Sequence, residues 1–101
     1  MEILKQRNDK ELTLILKGEL NTVTAFDLDK VVAGDDLKNV QTLIFDMAEL
    51  SYLTSAGLRV LLVAQRLMND RKGKLIVRHV NEAIMEVFTI TGFNNVLTIE
   101  A

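Results

Sequence analysis

The chain has 101 residues, 49% hydrophobic and 26% charged, with no cysteine, no proline and a formal net charge of −2. That is the balance of one globular domain with its own core, and it excludes disordered and fibrous classes. Without cysteine there are no disulfides, thiol nucleophiles or thiolate metal sites, and the mild acidity removes the electrostatic footprint of a nucleic-acid binder.

The opening MEILKQRND has no apolar signal core, and no run reaches the ~18 apolar residues of a membrane span, so a cytoplasmic location without membrane insertion is expected. Residues Ile3–Arg7 read as a first strand, and Asn8-Asp9-Lys10 turns into a second, Glu11–Gly18. There Leu12, Leu14 and Leu16 alternate with Thr13, Ile15 and Lys17, so one side is fully apolar and the other only partly covered. Asn21 or Thr22 can cap a helix running to about Ala33, with Val23, Phe26, Leu28, Val31 and Val32 as its inner residues. Gly34-Asp35-Asp36 is a turn or the helix end.

Gln41–Met47 is a third strand, apolar on both sides over Leu43–Phe45 as a central strand requires. A short loop leads to a helix from about Ser55 to Arg71, with Leu58, Leu61, Leu62, Val63, Ala64, Leu67 and Met68 as its apolar face. Arg71-Lys72-Gly73 ends it, with cations at the negative dipole end and Gly73 in the left-handed position. Lys74–Val80 is a fourth strand. Asn81 caps a third helix that stops at Gly92, and Val96–Ile99 is a last short strand. The order is β-β-α-β-α-β-α-β in one domain. Right-handed crossovers between parallel strands added in one direction place the helices on one face of the sheet.

Little in the chain carries chemistry. The five glycines are isolated, so neither the dinucleotide nor the Walker pattern is present, and no cofactor is expected. Asp27, Asp29, Asp35 and Asp36 lack a loop that would converge them on a cation, so no metal is expected. A hydrolytic triad would need Ser55, the single histidine His79 and an acid such as Asp46, but no G-x-S-x-G surrounds Ser55 and His79 falls late in the fourth strand. No catalytic residue is therefore assigned.

What stands out is Asp46–Leu62, DMAELSYLTSAGLRVLL. Ser55 sits where the helix N-cap belongs, followed by small Ala56 and Gly57. Serine there is a preferred cap whether or not anything modifies it. A phosphate on its hydroxyl would meet free N–H groups and the positive dipole end. Tyr52 and Leu53 ahead of it and Leu58 after it form a small apolar surface around that hydroxyl, unless Tyr52 turns inward as a staple against the helix.

The element order, the run from Asp46 to Arg59 and the weaker G-E-L-N run at Gly18–Asn21 resemble STAS domains, and more narrowly the free-standing bacterial anti-sigma factor antagonists. The resemblance covers the whole chain, 1–101. It implies an α/β fold, a mixed and mostly parallel sheet of about five strands with three or more helices mainly on one face. It further implies a partner-switching protein, a monomer or weak dimer. Unmodified, it binds an anti-sigma factor that is also a serine/threonine kinase and so releases a sigma factor. The kinase then phosphorylates Ser55, and a protein phosphatase restores the binding form. Carried over by position, the contact surface comprises Asn21, Thr22, Tyr52, Thr54, Ser55, Ala56, Gly57 and Arg59. Asn21 stands where many relatives carry Asp, and Thr54 where others carry an acid or Ser. Thr54 thus offers a second hydroxyl beside Ser55, which keeps preference because it matches the motif position. The alternative is an accessory STAS subunit of a lipid-transport ABC complex, docking through the same surface without phosphorylation.

Overall fold

The structure is a computed structural model and describes residues 1–100. Five strands form one sheet in the order β1-β2-β3-β4-β5: β1 (Glu2–Asn8), β2 (Glu11–Leu20), β3 (Thr42–Leu53), β4 (Lys74–Arg78) and β5 (Thr98–Glu100). β1 and β2 form an antiparallel hairpin turned by Asp9 at φ 57, and the remaining neighbours are parallel. Helices α1 (Thr24–Ala33), α2 (Ser55–Asp70) and α3 (Glu82–Thr91) make the connections between the parallel strands.

The alternation seen in the sequence decides which face is covered. Leu12, Leu14 and Leu16 of β2 share one buried core with Leu43, Phe45 and Met47 of β3 and Leu75 and Val77 of β4. Leu28 and Val32 of α1, Leu61, Ala64 and Met68 of α2, and Ile84 and Phe88 of α3 complete it, so all three helices lie on one face. On the opposite face Thr13, Ile15, Ile76 and Asp46 are only half-buried. Charged side chains bridge strands there, Lys17 to Glu49 at 3.4 Å and Arg78 to Glu100 at 2.8 Å. The expected mixed sheet with helices on one side is the observed one.

Several local expectations are corrected. β2 does not close at Gly18. Gly18 adopts φ +108, the β2–β3 register shifts between Ile15 and Lys17 and again between Gly18 and Glu19, and pairing resumes to Leu20 opposite Leu53. This bulge lets β3 run six residues beyond Met47, and it carries the chain directly up to α2. β4 ends at Arg78, so His79 lies outside the strand at φ 58. At the end of α2 the left-handed position is taken by Lys72 (φ 58), not Gly73. Arg71 does more than balance the dipole: its guanidinium donates to the carbonyls of Leu37 and Val40, tying the end of α2 to the loop before β3. The last strand begins at Thr98, after a 3-10 turn over Phe93–Asn95. The α3 signals hold as read. Asn81 Oδ1 accepts from the Ile84 N–H at 2.8 Å, and Gly92 closes the helix at φ 79.

Candidate functional site

The C-terminal ends of β2 and β3 and the N-terminal ends of α1 and α2 meet at one corner. Glu19 pairs with Tyr52 and Leu20 with Leu53, and the Thr54 N–H donates to the Leu20 carbonyl at 2.9 Å. This last bond continues the strand ladder into the loop and fixes where α2 starts. Thr54, in extended conformation, is the N-cap of α2, and Ser55 is its first helical residue. The sequence expectation of Ser55 as the cap is thus off by one.

The two hydroxyls at this corner differ sharply. Thr54 Oγ1 is buried without a hydrogen-bond partner and makes no cap bond, whereas Ser55 is exposed. Gly57 is also buried, so it does not belong to the contact surface drawn from the motif. Its role is close approach. A Cβ there would lie 2.8 Å from Leu20 Cγ and 2.9 Å from Leu20 Cδ2, so α2 rests directly on β2 only because position 57 has no side chain.

Asn21 organises the neighbouring entry into α1. Its Oδ1 accepts from the N–H groups of Val23 and Thr24, each at 3.0 Å, and its own N–H donates to Thr24 Oγ1 at 2.8 Å. Thr24 Oγ1 in turn donates to the Glu19 carbonyl at 2.7 Å. Of the two capping candidates Asn21 serves, while Thr22 is exposed beside it. The job needs an acceptor oxygen that either an amide or a carboxylate supplies. Asn21→Ala is therefore expected to lower stability by about 1 kcal/mol, read as a lower urea midpoint, and Asn21→Asp to keep it near the wild-type value.

Capping at Asn21 also sets the phase of α1, with Ala25, Leu28 and Val32 facing the core. Val23 and Phe26, expected inside, are 78% and 66% exposed. Tyr52 is 44% exposed and points outward instead of stapling the helix. Between α1 and α2 lies a groove of about 270 Å³ lined by Thr22, Ala25, Phe26, Asp29, Ala56, Arg59 and Val60. Of the residues outside the motif-derived surface, Val23, Phe26 and Asp29 are exposed, and Val60 lines the groove although it is buried. The i, i+3, i+7 spacing of Ala25, Leu28 and Val32 is the signal that reveals the exposed side of α1.

His79 and Asp46 form a separate pair. His79 Nδ1 lies 3.0 Å from Asp46 Oδ1, which also accepts from the Ala48 N–H. Burial pushes the Asp46 carboxyl up, but the bonds from His79 and Ala48 and the charges of His79 and Arg78 outweigh it and hold the group below its ordinary value. No hydrogen bond joins this pair to Ser55 among the described residues. Nor do three His, Asp or Glu side chains converge there in a way that would hold a metal. Among the described residues no helix is long and apolar enough to cross a membrane.

Comparison with known proteins finds relatives over the whole chain. The STAS domain family model matches residues 2–101. A Bordetella bronchiseptica protein described as an anti-sigma factor antagonist, BtrV, is 28% identical over 99 residues, 98% of this chain and 85% of the relative. The anti-sigma-B factor antagonist of Listeria monocytogenes is 25% identical over 97 residues, 96% and 85% of the two chains. Among solved structures, the Bacillus anti-sigma factor antagonist SpoIIAA matches in two forms, both at a TM-score of 0.78. The unphosphorylated form is 19% identical over 99% of this chain and 88% of its own, and the phosphorylated form 18% over 99% and 92%.

Proposed function

Since the chain belongs to the STAS domain family, we propose that it is an anti-sigma factor antagonist whose binding surface is switched off by phosphorylation at Ser55. Unmodified, it binds an anti-sigma factor that is also a serine/threonine kinase and so frees a sigma factor. The kinase phosphorylates Ser55, and a phosphatase removes the group. Relatives that span almost the whole chain carry the antagonist name, and a fold neighbour is known in both unphosphorylated and phosphorylated forms.

One observation carries the choice of residue: of two adjacent hydroxyls, Ser55 is exposed and Thr54 Oγ1 is buried. A kinase has to place the acceptor oxygen in line with a phosphoryl group, and it can do so with Ser55 without opening the fold. The contact surface in this reading is Thr22, Tyr52, Ser55, Ala56 and Arg59, joined by Val23 and Phe26. Asn21 shapes it from beneath, and Thr54 and Gly57 support the backbone.

The test is incubation with the cognate anti-sigma factor kinase and ATP, followed by intact-mass spectrometry. Wild-type and Thr54→Ala proteins are expected to gain one phosphate and Ser55→Ala none. A gain retained in Ser55→Ala would overturn the assignment. The accessory role in a lipid-transport complex is not favoured, since the full-length relatives are named as antagonists.

A further inference from the structure

Ser55 and Arg59 are four residues apart on α2, and both are exposed. That spacing stacks their side chains on one face, one turn apart. Arg59, like Arg66, makes no ion pair or hydrogen bond among the described residues, whereas Arg7, Arg71 and Arg78 are engaged. Asp29 of α1 lines the same groove but forms no ion pair with Arg59. The nearby cation of α1, Lys30, stands over the Phe26 ring at 5.2 Å.

A phosphoserine carries roughly −1.5 to −2 charges at neutral pH. An anion at the first helical residue suits the positive end of the helix dipole, and an anion four positions ahead of a cation is the favourable order for such a pair. We propose that Arg59 is the internal counter-charge for a phosphate on Ser55. Phosphorylation then acts twice: it adds negative charge to the contact surface and withdraws the Arg59 guanidinium from it. This rests on the reading of Ser55 as the modified residue.

The test uses full-length protein with phosphoserine installed at position 55 during synthesis, so that it needs no kinase. Phosphorus NMR follows the second ionisation of the phosphate in the wild-type and Arg59→Gln backgrounds. With Arg59 present the phosphate is expected to titrate about 0.3 pH units lower at low salt, the gap closing in high salt. Arg59→Lys should keep most of the difference, and unmodified Arg59→Gln should melt like wild type because the side chain is exposed. Identical titration in wild type and Arg59→Gln would overturn the proposal. If the kinase leaves Ser55 unmodified, the switch reading fails while the titration still decides the role of Arg59.

Discussion

Ser55→Asp is expected to bind the anti-sigma factor kinase at least about tenfold more weakly than Ser55→Ala, with little change in thermal stability. The two halves of this result have different causes. Within the chain, a carboxylate at the first position of α2 faces the positive end of the helix dipole, which is worth about 0.3–1 kcal/mol in favour of the fold. Against a partner, the same charge joins a proposed contact surface that includes the exposed apolar side chains Val23, Phe26 and Tyr52, which bind only where water leaves. Desolvating a carboxylate there, even with Arg59 one turn away, costs more than the dipole returns. Ser55→Ala removes only an exposed hydroxyl and leaves the patch intact. Isothermal titration or surface plasmon resonance on the two variants measures the ratio, and equal affinities would rule out a charge-based switch.

Gly73→Ala is expected to lose about 3 kcal/mol in urea denaturation, since an added Cβ there would make the tightest contact among the five glycines. A Cβ at that position would lie 2.5 Å from the Gln41 carbonyl oxygen and 2.8 Å from Met68 Cε. The methionine end can move, but the carbonyl is pinned. It accepts from the Lys74 N–H at 2.7 Å, while the N–H groups of Gln41 and Thr42 both donate to the Lys10 carbonyl. Gln41 therefore sits locked between the β1–β2 turn and the start of β4, and relief would require breaking the entry into β3. The positive backbone angle at this corner belongs to Lys72, so Gly73 is needed for the room it leaves and not for conformational freedom. A loss under about 1 kcal/mol would show that the carbonyl can yield.

These two sites show what a sequence makes legible. Signals that act within one turn were readable: Asn81 as a cap, Gly92 as a stop and the Leu12–Leu14–Leu16 alternation all stand in the structure as expected. Features set by a distant segment were not. Whether α2 starts at Thr54 or Ser55 depends on the Leu20 carbonyl, thirty-odd positions away, and either hydroxyl residue is an acceptable cap by composition. The length of β3 depends on a bulge opposite Gly18, which reads locally as a strand end. Val23 and Phe26 read as core because α1 carries apolar residues on more than one side, and apolar character without the Ala25–Leu28–Val32 spacing does not choose the phase. His79 was drawn into β4 because nothing local foretells a left-handed turn there; its bond to Asp46 on β3 accompanies it. The corner that holds Asn21, Thr22 and Tyr52–Arg59 is legible as a stretch of sequence, but which of its side chains are exposed and which are covered is not.

The strand ladder that ends on Thr54 has a bearing on how an enzyme recognises this protein. Leu53 and the Thr54 hydroxyl are buried, so the residues just ahead of the acceptor cannot be read as an extended peptide in a kinase cleft. What is presented is a rigid corner whose recognisable parts come from α1, β3 and α2 at once. If Ser55 is the modified residue as proposed, it is a substrate only within the folded domain, and a short synthetic fragment spanning it would lack the determinant. Modification of this residue would thereby report that the chain has reached its native form, and unfolded or nascent copies would escape the kinase altogether.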